Sequence, residues 1–78
     1  MSHPFDFLVF IGRFQPFHLG HLAVVQAGLL QAAHLIVLCG SASQPRSLRN
    51  PFTWQERAEM IRNAVTPADS KRLLIVPV

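Results

Sequence analysis

The 78-residue sequence contains little charge and a single cysteine. Only 14% of its residues are charged and half are hydrophobic, a composition too apolar for a disordered tail. One cysteine cannot form an internal disulfide, which excludes a disulfide-stapled fold. Because Cys39 ends the apolar run 35–39, we expect a buried thiol in a protein of the reducing cytoplasm.

Long apolar segments are also absent from the sequence. No stretch approaches the roughly 18 continuous apolar residues of a membrane helix, and the N-terminus lacks a basic stretch followed by an apolar one. We therefore expect a protein that is neither exported nor membrane-spanning. The length allows one domain that buries only about 60% of its unfolded surface, which makes a complete two-substrate enzyme an unfavoured interpretation.

The charges that are present favour an anionic ligand. Seven Lys and Arg against four Asp and Glu give a net charge of +3. The basic residues are scattered and no aromatic residues interleave with them, so nucleic acid is disfavoured as a partner. Anionic nucleotides account for the same balance.

Hydrophobic periodicity predicts the order β-α-β-α-β. Apolar runs predict strands that are buried on both faces, and three- and four-residue spacing predicts an amphipathic helix after the first strand. Thr53 and Glu56 form a capping box at the start of a second helix. Alternating strands and helices imply parallel pairing, which is half of a doubly wound α/β sheet. The predicted strands are 7–11, 34–39 and 73–76, and the predicted helices run from 19 to about 33 and from 53 to about 65, with a break at 66–70.

A phosphate site is expected directly after the first strand. His18 and His21 lie three residues apart at a helix start, where unpaired backbone N–H groups and the helix dipole attract anions. Gly20 leaves room for a close approach to the backbone, and Gly12 lets the chain leave the strand sharply. The pair alone is also compatible with surface histidines, capping histidines or an incomplete metal site.

The residues around this pair resemble a known family. The run is Gly12-Arg13-Phe14-Gln15-Pro16-Phe17-His18-Leu19-Gly20-His21. It is similar to the signature of nucleotidylyltransferases, whose His-x-Gly-His element binds ATP phosphates. Class I aminoacyl-tRNA synthetases carry a related element. The interior of the run, however, looks like that of nicotinamide mononucleotide (NMN) adenylyltransferases, either of the archaeal type or of the bacterial type that is fused to a Nudix hydrolase domain. The block 40–61, with a Gly-Ser-Ala segment, Arg49 before Pro-Phe-Thr and Glu-Arg-x-x-Met-Ile, agrees.

The resemblance implies adenylyl transfer from ATP to NMN, giving NAD and pyrophosphate. It assigns His18, His21 and Arg49 to the reacting phosphates, while the ATP site is lined, mainly through backbone, by Gly12, Arg13, Phe14, Gln15 and Gly20. No protein metal ligand is expected, so Mg²⁺ would be carried by the nucleotide. Glu56 and Arg57 are interpreted as structural, the latter on the helix surface. Phe52 and Trp54 are interpreted as half-buried aromatics rather than as a flank for the nicotinamide ring.

Residues 1–78 are interpreted as a single, incomplete domain of the Rossmann-like class, because the later basic segment of such enzymes is missing. We expect the isolated chain to be inactive. One alternative is a non-catalytic, nucleotide-binding half that docks through the edge of its third strand. Another is a sister transferase with a different phosphorylated acceptor. A homo-oligomer and a fused Nudix domain are left open.

Overall fold

The computed structural model describes residues 3–43, 45–48 and 51–78. The predicted β-α-β-α-β order is confirmed, with one addition. The predicted break after the second helix contains a one-turn helix capped by the Thr66 hydroxyl. The elements are β1 (Phe5–Gly12), α1 (Leu19–Gln31), β2 (Ala32–Cys39), α2 (Trp54–Ala64), α3 (Pro67–Ser70) and β3 (Leu73–Pro77).

The three strands form one parallel sheet in the order β1-β2-β3. Since both crossovers step the same way across the sheet, right-handed connections place α1 and α2 on the same face. Leu29 of α1 and Ile61 of α2 accordingly join one buried cluster with Leu35 and Val37 of β2. The core therefore lies between two helices and one face of the sheet.

The opposite face of the sheet is open. Phe7, Val9 and Ile11 of β1 are 58%, 56% and 66% exposed, and Leu74 of β3 is 54% exposed. The prediction that β1 is buried on both faces is therefore wrong. A continuous apolar run indicates a strand with two apolar faces, but only the packing of other elements decides whether both are covered.

The first helix is shorter than predicted, ending at Gln31 rather than near residue 33. Ala32 is already extended and pairs with Phe5 in the sheet. Arg72 donates hydrogen bonds to the carbonyl oxygens of Leu29 and Ala32, which satisfies acceptors that a helix end leaves without partners. An arginine that is distant in the sequence thus helps to fix the end of α1, which the local hydrophobic periodicity does not predict.

Cys39 is fully buried and its thiol is free, as expected. Burial raises the pKa of the thiol, and the nearby Arg57 guanidinium opposes this only in part. Within the described residues, no helix is long and apolar enough to cross a membrane.

Candidate phosphate-binding site

The loop after β1 folds around its own aromatic ring. Phe14 has a positive φ of 53° and is 1% exposed, and the Gln15–Pro16 peptide bond is cis. A Cβ atom on Gly12 would lie 2.6 Å from the Phe14 ring, closer than any real contact. The Phe14 ring therefore fills the space beside the Gly12 backbone, and a larger residue at Gly12 would collide with it.

The Phe14 ring supports His21 at the start of α1. The two ring centroids are 4.9 Å apart with an interplanar angle of 80°, and Phe17 stacks on His21 at 5.6 Å while also contacting Phe14 at 5.8 Å. Partial burial, and secondarily the neighbouring His18, lower the pKa of His21 below its ordinary value of 6.5. The imidazole is therefore neutral at physiological pH.

His18 and His21 form a reciprocal cap on the helix. The Gly20 N–H donates to His18 Nδ1 at 3.1 Å, and the His18 N–H donates to His21 Nδ1 at 3.2 Å. Because each Nδ1 accepts a hydrogen bond, each neutral ring carries its proton on Nε2. The rings stack with centroids 3.7 Å apart and 24° between their planes, so the structure brings the two predicted residues together.

Gly20 provides the space for this cap. A Cβ atom at this position would lie 3.0 Å from the His18 ring. What approaches the backbone at Gly20 is thus the His18 imidazole, which needs the Gly20 N–H as its donor. The first turn of α1 contains no acidic residue, so its positive dipole end is left without a carboxylate.

The other predicted ligand-lining groups of the loop are bonded within the protein. Gln15 pairs with the Phe52 backbone through two hydrogen bonds, Nε2 to oxygen at 3.0 Å and nitrogen to Oε1 at 2.9 Å. The Gly12 carbonyl accepts from the Gly40 N–H at 2.8 Å. These contacts shape the loop. The Gln15 side chain also joins the loop to the segment before α2.

Arg57 does not lie where the sequence predicts. It is only 1% exposed, so its assignment to the helix surface is wrong. It lies four residues before the buried Ile61 on α2, and this helical spacing was a signal that the two share a face. Glu56, by contrast, is the predicted cap, and its Oε1 accepts from the Thr53 N–H at 2.8 Å.

Arg49, the third predicted phosphate ligand, lies outside the described residues. Nearby, Arg46 forms an exposed ion pair with Glu56 at 2.8 Å and donates to the Pro51 carbonyl at 2.7 Å. Trp54 packs partly buried against the core, in keeping with the half-buried aromatic expected there.

An apolar cleft of about 340 Å³ adjoins His18 between α1 and α2. Apart from that histidine, the lining of the cleft offers almost no hydrogen-bond partners for a phosphate group. It is lined by Phe17, His18, Leu19, Leu22, Met60 and Ala64. Among the described residues, no group of three or more His, Cys, Asp or Glu side chains is arranged to hold a metal ion.

Residues 9–76 match the family described as cytidylyltransferase-like. This chain belongs to the cytidylyltransferase-like family. The match covers β2 and parts of β1 and β3 and includes the loop with both histidines, which confirms the α/β fold class and the resemblance to nucleotidylyltransferases.

Curated proteins similar to this chain extend the comparison. The nicotinamide/nicotinic acid mononucleotide adenylyltransferase of Acinetobacter baylyi is 45% identical over 74 residues, which are 95% of this chain and 39% of that protein. The nicotinamide-nucleotide adenylyltransferase of Saccharolobus solfataricus is 48% identical over 68 residues, covering 85% and 40%. The chain therefore spans about two fifths of the length of the curated relatives that it matches.

A solved structure of a family member agrees with the fold. The bifunctional NMN adenylyltransferase/ADP ribose pyrophosphatase of Francisella tularensis, crystallised with AMP and a manganese ion, superposes with a TM-score of 0.84 at 37% identity. The superposition covers 94% of this chain and 22% of that one.

Proposed function

We propose that this chain supplies the ATP-phosphate-binding half of an enzyme that transfers the adenylyl group of ATP to NMN, giving NAD and pyrophosphate. The observation that carries the proposal is the stacked pair of Nε2-protonated imidazoles at the N-terminus of α1. Relatives that are 45% and 48% identical across this segment are named as transferases of this type.

In the proposed reaction, an oxygen of the NMN phosphate attacks the α-phosphorus of ATP and pyrophosphate leaves. No side-chain nucleophile is needed, so the protein aligns two anions and stabilises the growing charge. His18 and His21 donate from Nε2, and the open end of α1 adds its dipole. Mg²⁺, when bound to the nucleotide, neutralises part of the phosphate charge. The histidine donors fit phosphate oxygens rather than a cation, which supports a metal carried by the nucleotide.

The remaining predicted site residues have different parts in the proposal. Gly12, Arg13, Phe14 and Gln15 shape the loop beneath the phosphates, and Gly20 makes room for the His18 cap. Arg49 is proposed to bind phosphate, an expectation supported by the sequence resemblance alone. A cytoplasmic location is also part of the proposal and is supported by the free, buried thiol of Cys39.

The test is NAD formation from NMN and ATP, followed through a coupled dehydrogenase. Two proteins are compared: the chain itself, and a chimera in which residues 1–78 replace the matching segment of the Acinetobacter baylyi relative. Turnover by the chimera alone would support a half-site that needs the rest of the domain. A folded chimera that binds ATP and forms no NAD would contradict the proposal, and ATP binding without turnover by either protein would favour a non-catalytic nucleotide-binding module.

Nicotinic acid mononucleotide is a second candidate acceptor, because the Acinetobacter baylyi relative is named for both mononucleotides. Competition between the two acceptors in the chimera measures the preference. A clear preference for an unrelated phosphorylated acceptor would replace NMN in the proposal.

A further inference from the structure

Arg57 is a buried cation without a carboxylate partner among the described residues. Its side chain is 1% exposed, and the ion pairs within that part of the chain join Arg46 to Glu56 and Arg72 to Asp69. Burying a charge costs free energy unless the charge is paired or well hydrogen-bonded, so the hydrogen bonds of this guanidinium must account for its burial.

Those contacts are all carbonyl oxygens, and they come from three segments. Nη1 donates to the Arg13 carbonyl at 2.7 Å and to the Gly40 carbonyl at 2.6 Å. Nε donates to the Thr53 carbonyl at 3.2 Å. One nitrogen of Arg57 thus bridges the loop after β1 and the turn after β2, at the edge of the sheet where strands β1 and β2 end.

The bridge leads to the histidine pair in two steps. Arg13 is followed by Phe14, whose buried ring packs against His21 with centroids 4.9 Å apart. On the other side of Phe14, Gln15 is held by the Phe52 backbone. The loop is therefore held on both sides of the residue that supports His21.

We infer that Arg57 is a positioning residue: it sets the loop 12–17 against the turn after β2 and thereby fixes Phe14 and, through it, the His21 imidazole. The expected weakening of ATP binding without Arg57 rests on the proposed function. The expected loosening of the loop 12–17 does not, so each expectation can be contradicted without the other.

The first experiment measures amide hydrogen exchange in the variants Arg57→Met and Arg57→Lys. The Gly40 N–H, bonded to the Gly12 carbonyl, and the Phe52 N–H, bonded to Gln15, report on the loop, while the Leu35 N–H, bonded to the Arg72 carbonyl, reports on the sheet. We expect exchange at the two loop amides to accelerate by roughly tenfold or more relative to Leu35 in Arg57→Met, because two carbonyl groups lose their donor. Arg57→Lys should restore part of the protection, since an ammonium group also donates.

The matched control is Arg62→Met, which removes the same charge from the same helix. Arg62 is exposed and donates to the carbonyl oxygens of Ser70 at 2.8 Å and of Leu73 at 3.4 Å, both away from the loop. The exchange rates of the two loop amides should not change in this variant. An equal acceleration at all three amides in Arg57→Met, or none at the loop amides, would overturn the inference, because Arg57 would then act on the whole fold or on nothing.

Circular dichroism and thermal unfolding monitor folding in every variant, because the Cys39 thiol lies too close to Arg57 to report on the fold independently. If both Arg57 variants are unfolded, Arg57 belongs to the folding core and the positioning role is wrong.

The second experiment measures ATP affinity by calorimetry, and we expect Arg57→Met to bind roughly tenfold more weakly and Arg57→Lys to recover part of the loss. Affinity is measured in the chimera; if the chimera with unsubstituted Arg57 binds no ATP, the binding part of the proposed function fails, and the exchange data still decide the positioning of the loop. If ATP binds equally well to Arg57→Met with a loosened loop, the link from Arg57 to the site is overturned while the proposed function stands.

Discussion

The two longer helices of this protein begin with reciprocal caps of the same geometry and opposite chemistry. At α2, the Thr53 hydroxyl accepts from the Glu56 N–H, and the Glu56 carboxylate accepts from the Thr53 N–H. At α1, the imidazoles of His18 and His21 accept instead. The α2 cap places a negative charge on the positive end of the helix, whereas the α1 cap satisfies the backbone with imidazole nitrogens and keeps two outer N–H donors.

This difference shows which helix end serves the fold and which can serve a ligand. The carboxylate of Glu56 lies at the positive end of its own helix and pairs with Arg46, which weakens the attraction of that helix end for a phosphate. The first turn of α1, at its N-terminus, contains no acidic residue. The positive end of a helix attracts an anion more strongly when no acidic side chain already lies there.

The largest effect is expected when the α1 cap is removed. In the active chimera, His18→Ala or His21→Ala should lower kcat on the order of 10²-fold, because each ring donates to charge that grows in the transition state. Steady-state kinetics measure this, and His34→Ala is the control, since His34 stacks on Phe7 in β1, whose side chain lies on the open face of the sheet. A change in KM with kcat preserved would assign the histidines to ground-state binding instead.

Giving α1 an acidic cap like that of α2 tests directly whether the difference between the two helix starts affects ATP binding. His21→Glu gives α1 the acid that α2 has, so the helix should keep its cap while ATP affinity falls by about tenfold or more through repulsion of the phosphates. Calorimetry measures the affinity and thermal unfolding measures the fold. Unchanged affinity would mean that phosphate does not bind at this end of α1.

Removing the α2 cap should affect stability and not chemistry. Thr53→Ala is expected to lower the free energy of unfolding by about 1 kcal/mol, since it leaves the Glu56 N–H without its acceptor. Urea denaturation measures this, and Thr66→Ala removes the same kind of cap from the one-turn helix α3 as a comparison. A loss of kcat as large as that of His18→Ala, at saturating substrate and with the fold intact, would contradict a purely structural cap.

The smallest expected effect is a two-step dependence of stability on pH. The pKa of His21 is lowered by burial and by His18, and that of Glu56 is lowered first by its hydrogen bond from the Thr53 backbone and further by Arg46. In each case the unfolded chain takes up the proton first as pH falls, so unfolding becomes easier below the ordinary pKa of 6.5 for His21 and of 4.5 for Glu56.

Denaturant titrations across pH resolve the two steps. His21→Asn should remove the step nearer neutrality and Glu56→Gln the more acidic one. Persistence of the first step in His21→Asn would assign it to another group.

Local sequence alone predicts the order of strands and helices, the cap formed by Thr53 and Glu56, and the proximity of His18 to His21. These features depend on residues three or four positions apart, where chain geometry fixes the neighbours. It did not determine the end of α1, the open face of β1 or the burial of Arg57. Arg72 reaches back about 40 residues to the end of α1, and Arg57 reaches back 44 to the loop beneath the histidines, and only the tertiary fold brings such distant groups together.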